Sequence, residues 1–321
     1  MSKNIIIVLL FFLFQGCRSH KKEIVVSDNL KAELEYKIPA QLGEGAFWNY
    51  KTQELYWIDI ESETFNIYNP TTKNNKVYNT KSKIGSVVAI NDIEALIASE
   101  DGVYRLNLNS GERTLFSDLK KELVGSRLND GKCDPFGRFW VGSMHFKQEQ
   151  GKANLYMINA EGKSVKKKQN VTISNGIVWT SDKKTMYYID TPTSEIKAYD
   201  YNNKTGEISN ERVVVTIPLK LGFPDGMTID EENMLWVGMW NGNAVIRFNP
   251  DTGEVLQTIE VPAHNVTSCA FGGKNLDVLY ITTASVDMTD EEQKQYPLAG
   301  SVFKVVTGVK GVKSSFFKTN N

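Results

Sequence analysis

Histidine, cysteine and net charge are all scarce in this chain. Three histidines in 321 residues, His20, His145 and His264, leave little material for imidazole-based metal or triad chemistry. Three cysteines cannot build a disulfide framework or a cysteine-rich zinc site. Thirty-seven Lys and Arg balance 38 Asp and Glu, which argues against a nucleic-acid binder that lives on phosphate contacts and against an acidic disordered tail. Beyond the first residues no run of 18 apolar side chains occurs, so no later membrane-spanning helix is expected. Hydrophobic residues are plentiful at 41%, enough for a large core. Any chemistry falls to carboxylates and amides.

The amino end stands apart. Lys3 is followed by the apolar run Ile5–Phe14 and then by Gln15-Gly16-Cys17. One positive charge, a short hydrophobic core and a small residue before a cysteine read as a secretory signal, too short to cross a bilayer comfortably. The Gly16-Cys17 junction resembles a bacterial lipoprotein signal, cleaved before Cys17 with acylation of its thiol; an ordinary signal peptide with an incidental cysteine is the alternative. Residues 1–16 are therefore expected to be a signal peptide. Residues 17–29, polar throughout most of their length, form the lipidated cysteine and a flexible tether, and residues 30–321 form the folded domain. That order places the protein on the bacterial cell envelope, held to a membrane at its periplasmic or outer-membrane face.

The remainder repeats. A small or polar turn leads into a short strand, an aromatic-rich second strand and a third strand, six times over. Gly43-Glu44-Gly45 precedes Leu55-Tyr56-Trp57-Ile58; Asn129-Asp130-Gly131 precedes Phe139-Trp140-Val141; Ser174-Asn175-Gly176 precedes Met186-Tyr187-Tyr188-Ile189; Pro224-Asp225-Gly226 precedes Leu235-Trp236-Val237. Ser86 and Ser268 mark the other two copies. Successive marks fall roughly 42 to 50 residues apart, the period of four-stranded propeller blades. No amphipathic run of helix length separates the strands, and the turn sequences at 203–206 and 249–253 read as hairpins. The fold class is all-β, a six-bladed β-propeller, with residues Leu30 to Ile38 supplying a strand that closes the ring at its last blade.

In such a ring the first strand of each blade lines the channel, so matching positions converge at one end. Read in order, the marks are Glu44, Ser86, Asn129, Asn175, Asp225 and Ser268. Two acids, two amides and two hydroxyls suit a hard divalent cation such as calcium, magnesium or manganese; zinc is less expected without histidine. The plainer reading, hydrogen bonds to turn amides, is preferred for Ser86 and Ser268, and the site reading for Glu44, Asn175 and Asp225. Arg127 adds a cation beside the ring, able to orient an oxygen-rich substrate unless it merely pairs with Asp130 or Asp134. Most tryptophans recur in strand phase as core, whereas Trp240 falls just after a strand and could face the mouth. Cys133 and Cys269 fall on opposite blades and read as small core residues.

Leu42-Gly43-Glu44-Gly45, the stretch from Arg127 to Met144, Ser174–Trp179 and Pro224–Asp230 together resemble the SMP-30/gluconolactonase/regucalcin family, over roughly residues 40 to 313. The resemblance implies a six-bladed propeller that hydrolyses sugar lactones with one divalent metal, calcium foremost and zinc, manganese or magnesium as alternatives. It also implies Glu44, Asn175 and Asp225 as metal ligands, Asp225 as acid/base, and Arg127 and Asn129 as substrate contacts. At one point the sequence departs from the family pattern: a glutamate that often follows the Gly-Ser/Thr-Met is replaced by His145-Phe146-Lys147, with Glu149 the nearest acid. Two other functions fit the same ring, a non-catalytic calcium- or sugar-binding propeller and, ranked last for want of histidines, an arylesterase or strictosidine-synthase-like propeller.

Overall fold

Alternating turns and short β-branched or aromatic runs can only bury their backbone polar groups by pairing with one another. In the computed structural model, which describes residues 30–320, they do so as six blades of four antiparallel strands each, one of them extended by a short parallel fifth strand. The expected signal peptide, Cys17 and the tether lie outside the described residues. Each blade begins with an inner strand: Gly43–Asn49, Ile84–Asn91, Ser126–Cys133, Ser174–Trp179, Phe223–Ile229 and Asn265–Gly272. Inner strands of successive blades touch all the way round, the sixth against the first. The architecture is the six-bladed β-propeller that the repeat period predicts.

Burial follows from position in the blade. Second strands are sandwiched between neighbouring sheets and read as continuous apolar runs, Ala95 to Ala98 being fully buried. Outer strands such as Ser164–Val171 are mostly exposed and carry lysines. The packed aromatics need partners for their polar edges. Trp140 donates its indole N–H to Asp134 at 2.8 Å and Trp236 donates to Asp230 at 2.9 Å. Each of these buried carboxylates also accepts from an arginine Nε, Arg138 at 2.7 Å and Arg247 at 2.8 Å, so the charge is paired rather than stranded. The two hairpin turns are built on an asparagine that accepts from the backbone two residues on, Asn202 from Lys204 at 3.0 Å and Asn249 from Asp251 at 2.8 Å. Both end on a glycine of positive φ, Gly206 at 71° and Gly253 at 74°, a conformation that disfavours side chains. Cys133 and Cys269 are buried and free.

Two terminal segments complete the ring. Glu33–Tyr36 pairs antiparallel with Val302–Val306 as the outer strand of the sixth blade. Just before it, Leu30–Lys31 pairs parallel with Ile259 and Glu260 of the fifth blade, a second stitch that the repeat pattern did not predict. At the other end, the tail crosses the face where inner strands finish. The Phe317 N–H donates to the Ala89 carbonyl and the Lys318 N–H to the Gly137 carbonyl, both at 2.9 Å, and the Phe317 ring is buried among blades two and three. On the opposite face the second and third strands of the sixth blade are joined by a loop carrying the short helix Asp290–Gln295. Its first turn is held by a reciprocal Thr289–Glu292 cap.

Candidate active site

All six inner strands carry the same irregularity. Register against the second strand slips between Glu44 and Phe47, Ile84 and Ser86, Leu128 and Gly131, Ser174 and Ile177, Pro224 and Met227, and Val266 and Ser268. A bulge bends its strand and re-aims the side chains within it. In four blades the slip brackets or abuts Glu44, Asn129, Asn175 and Asp225, all of which line a cavity of about 670 Å³ at the channel mouth. In the other two it ends on Ser86 and Ser268, and neither lines that cavity. Inner strands crowd together here. A Cβ on Gly176 would stand 2.5 Å from the Met227 Cβ and 2.9 Å from the Asp225 carbonyl oxygen, so only glycine fits.

The cavity floor is a linked set of buried polar groups. Arg127 Nη1 donates to Asn129 Oδ1 at 2.5 Å and to the Leu128 carbonyl at 3.0 Å. Asn129 Nδ2 donates to Asn175 Oδ1 at 2.9 Å and to the Ser174 carbonyl at 2.7 Å. Asn175 Nδ2 donates in turn to Thr191 Oγ1 at 2.7 Å, whose hydroxyl donates to the Pro224 carbonyl at 2.8 Å. These bonds fix both amide orientations, so Asn175 presents its oxygen on the side where Asn129 lies. Glu44 Oε2 accepts from the Gly45 N–H at 2.9 Å, and its carboxyl and that of Asp225 are buried close enough for the charge of Glu44 to raise Asp225.

Electrostatically the floor is overloaded with acid. Burial, then the charge of Asp130, pushes Glu44 up to about 8. Burial, then Glu44, drives Asp225 well above the usual carboxylate range. One position deeper, Asp130 is buried with Oδ1 on the Gly131 N–H at 2.8 Å and Oδ2 without a partner; burial raises it, and Lys132 partly offsets this. Burial also lowers Arg127, against the pull of Glu44, and among the described residues it forms no ion pair. It is neither exposed nor paired with Asp130 or Asp134; Asp134 belongs to Arg138. Two facing carboxylates that must share protons are what a dication would relieve. Among the described residues no three His, Cys, Asp or Glu side chains cluster as a metal site. A cation here would therefore draw on two acids plus an amide, Glu44, Asp225 and Asn175, and this all-oxygen set suits a hard ion.

The structure brings together Glu44, Arg127, Asn129, Asn175 and Asp225 on one floor. Trp240, which the sequence left open, lines the mouth, whereas Glu149 does not; it stands 3.9 Å from His145 Nδ1, and Phe146 and Gln148 face the cavity instead. Thr191 and Asp130 were missed. Thr191 opens the short 3-10 turn that follows a second strand, Thr185–Asp190, outside the repeat phase that marks the others. Asp130 sits next to a marked residue, and its missing partner is visible only in three dimensions.

Comparisons with known proteins agree with this geometry. The family model described as SMP-30/gluconolactonase/LRE-like region matches residues 42–285. The Bacillus subtilis protein named "Putative sugar lactone lactonase YvrE" is 39% identical over 274 residues, covering 85% of this chain and 94% of its own length. Regucalcin of Xenopus laevis is 34% identical over 305 residues, 93% of this chain and 99% of its own. Among solved structures, a regucalcin of Agrobacterium tumefaciens, described as a calcium-binding protein, superposes with a TM-score of 0.86 at 27% identity, over 90% of this chain and 98% of its own. With the motifs, the blade count and the sequence match in accord, this chain belongs to the SMP-30/gluconolactonase/LRE-like family.

Proposed function

We propose that this protein hydrolyses a sugar lactone to the open-chain aldonic acid. The observation that carries the reading is the buried Glu44–Asp225 carboxyl pair beside Arg127 and two oriented amides, in a chain similar to a protein named for sugar lactone hydrolysis. Glu44, Asn175 and Asp225 would hold a divalent cation, calcium foremost. Bound there, it would supply Lewis-acid polarisation of the lactone carbonyl. Arg127 and Asn129 bind ring hydroxyls and orient the carbonyl toward the acid pair. Asp225 accepts a proton from the attacking water at its carboxylate oxygen and returns it to the ring oxygen as the C–O bond breaks. Burial of the floor excludes bulk water from the proton transfer.

The test is a panel of sugar lactones in a pH-indicator assay, with and without chelator and with calcium restored. Acid release that falls on chelation and returns with metal is the expected result. Chelator-sensitive binding of calcium or free sugars with no acid release from any lactone would instead favour a binding propeller built on the same ring. We further propose that the protein is a lipoprotein of the bacterial envelope, acylated at Cys17, from the Gly16-Cys17 junction that follows the apolar run. Cys17→Ser should abolish incorporation of labelled fatty acid and release the chain from membrane fractions; unchanged labelling would refute it.

A further inference from the structure

The two halves of the mouth cavity differ in kind. Over blades one and two its rim carries the Glu61–Lys83 ion pair at 2.5 Å. Over blades three to five it is walled by Phe146, Ile173, Pro192, Phe223 and Trp240. Above Arg127 and Asp225, no charged side chain of these three blades lines the cavity. Phe146 is 51% exposed and Phe223 is 36% exposed, and each sits at the edge of a concave space rather than on an outer strand. Gln148, Thr191 and Asn241 are interspersed along the same wall, and apolar side chains exposed inside a pocket mark a surface that a ligand covers. A bare polyhydroxylated ring would leave this wall in water, gaining nothing from it, and the cavity is wider than one such ring needs.

We propose that the substrate is a lactone bearing a hydrocarbon substituent, its ring hydroxyls on Arg127 and Asn129 and its apolar arm against Phe146, Phe223 and Trp240. This rests on the lactonase reading and narrows it. The arm leaves water as it meets the two phenyl rings, so the gain is realised on binding. The probes are D-glucono-1,5-lactone and its 6-O-hexyl ether, with the full protein and calcium present. Hydrolysis of the ether with kcat/KM about tenfold or more above the parent, about 1.4 kcal/mol, is expected. In Phe146→Ser, and separately in Phe223→Ser, the ratio should fall to about threefold or less, with thermal unfolding confirming that each variant folds; two variants guard against one failing. A ratio near one in the unaltered protein, or a ratio that both substitutions leave intact, overturns the inference while the lactonase reading stands. If neither probe is hydrolysed, the inference falls, and the lactone panel above decides separately whether the lactonase reading falls with it.

Discussion

The same six inner strands end in two different mouths. At one they start with a bulge and open on about 670 Å³ lined by Glu44, Glu61, Asp225 and Asp287 against Lys83 and Arg127. At the other, five of the six finish in regular pairing and the second slips again between Ala89 and Asn91; here Phe47, Val178, Ile229 and Ala270 face inward around about 360 Å³, and Lys132, Lys183 and Lys313 line the space without any carboxylate. Two of those far cations are already engaged. The Lys132 ammonium donates to the Met227 carbonyl, and Lys313 lies over the Tyr50 ring at 5.2 Å. The tail residues Val312–Ser315 wall this side, with the Phe316 ring 5.8 Å from that of Phe47. Regular alternation buries apolar groups and closes an end, whereas a bulge at one repeat phase gathers uncompensated acid and opens one. A single local irregularity, repeated six times, separates a site from a plug.

That contrast can be broken from either end. The largest effect should come from Asp225→Asn, which keeps shape and removes the proton acceptor. Lactone turnover should fall about 1,000-fold with an unfolding midpoint no lower than that of the unaltered protein, and near-normal turnover would take Asp225 out of the reaction. At the far mouth, Phe317→Ala empties a buried position of the tail. It should cost about 3 kcal/mol in denaturant unfolding while kcat/KM on lactones stays within about twofold; a matching loss of activity would mean the two mouths are coupled. The smallest effect is one of pH. Glu44 keeps its proton to about 8 when folded, against an ordinary value of 4.5. The folded state therefore binds more protons between those values, and metal-free stability declines as pH rises through that window. Glu44→Gln should flatten the decline, raising the midpoint at pH 8 by about 3 °C and leaving pH 4 unaltered. An unchanged slope would show that the acid pair is not strained.

Much of this was readable from residue order because a propeller is periodic. Once Glu44, Asn129, Asn175 and Asp225 are placed at one phase, the topology alone brings them to one end of the axis. Trp140 and Trp236 announce core by recurring in second strands. What escaped reading has no period. Thr191 orients Asn175 from a turn, the tail docks through the Phe316 and Phe317 rings and two backbone bonds, and Leu30–Lys31 reaches the fifth blade through a two-residue ladder. Phe146 could be seen in the sequence, standing where an acid is common in the resembling family. Its exposure at the cavity rim, and the company of Phe223 from two blades away, depend on how loops of unequal length meet.

The sixth blade joins Leu34 to Phe303, partners made at opposite ends of translation. Without the later strand Glu33–Tyr36 has no antiparallel partner, and the ring of blades is left open with two raw edges. Such edges invite other chains during the slowest, longest-range step of assembly. Closure therefore depends on a pairing between distant parts of the chain, and it ties together the ring whose first and fifth blades supply the acids of the floor.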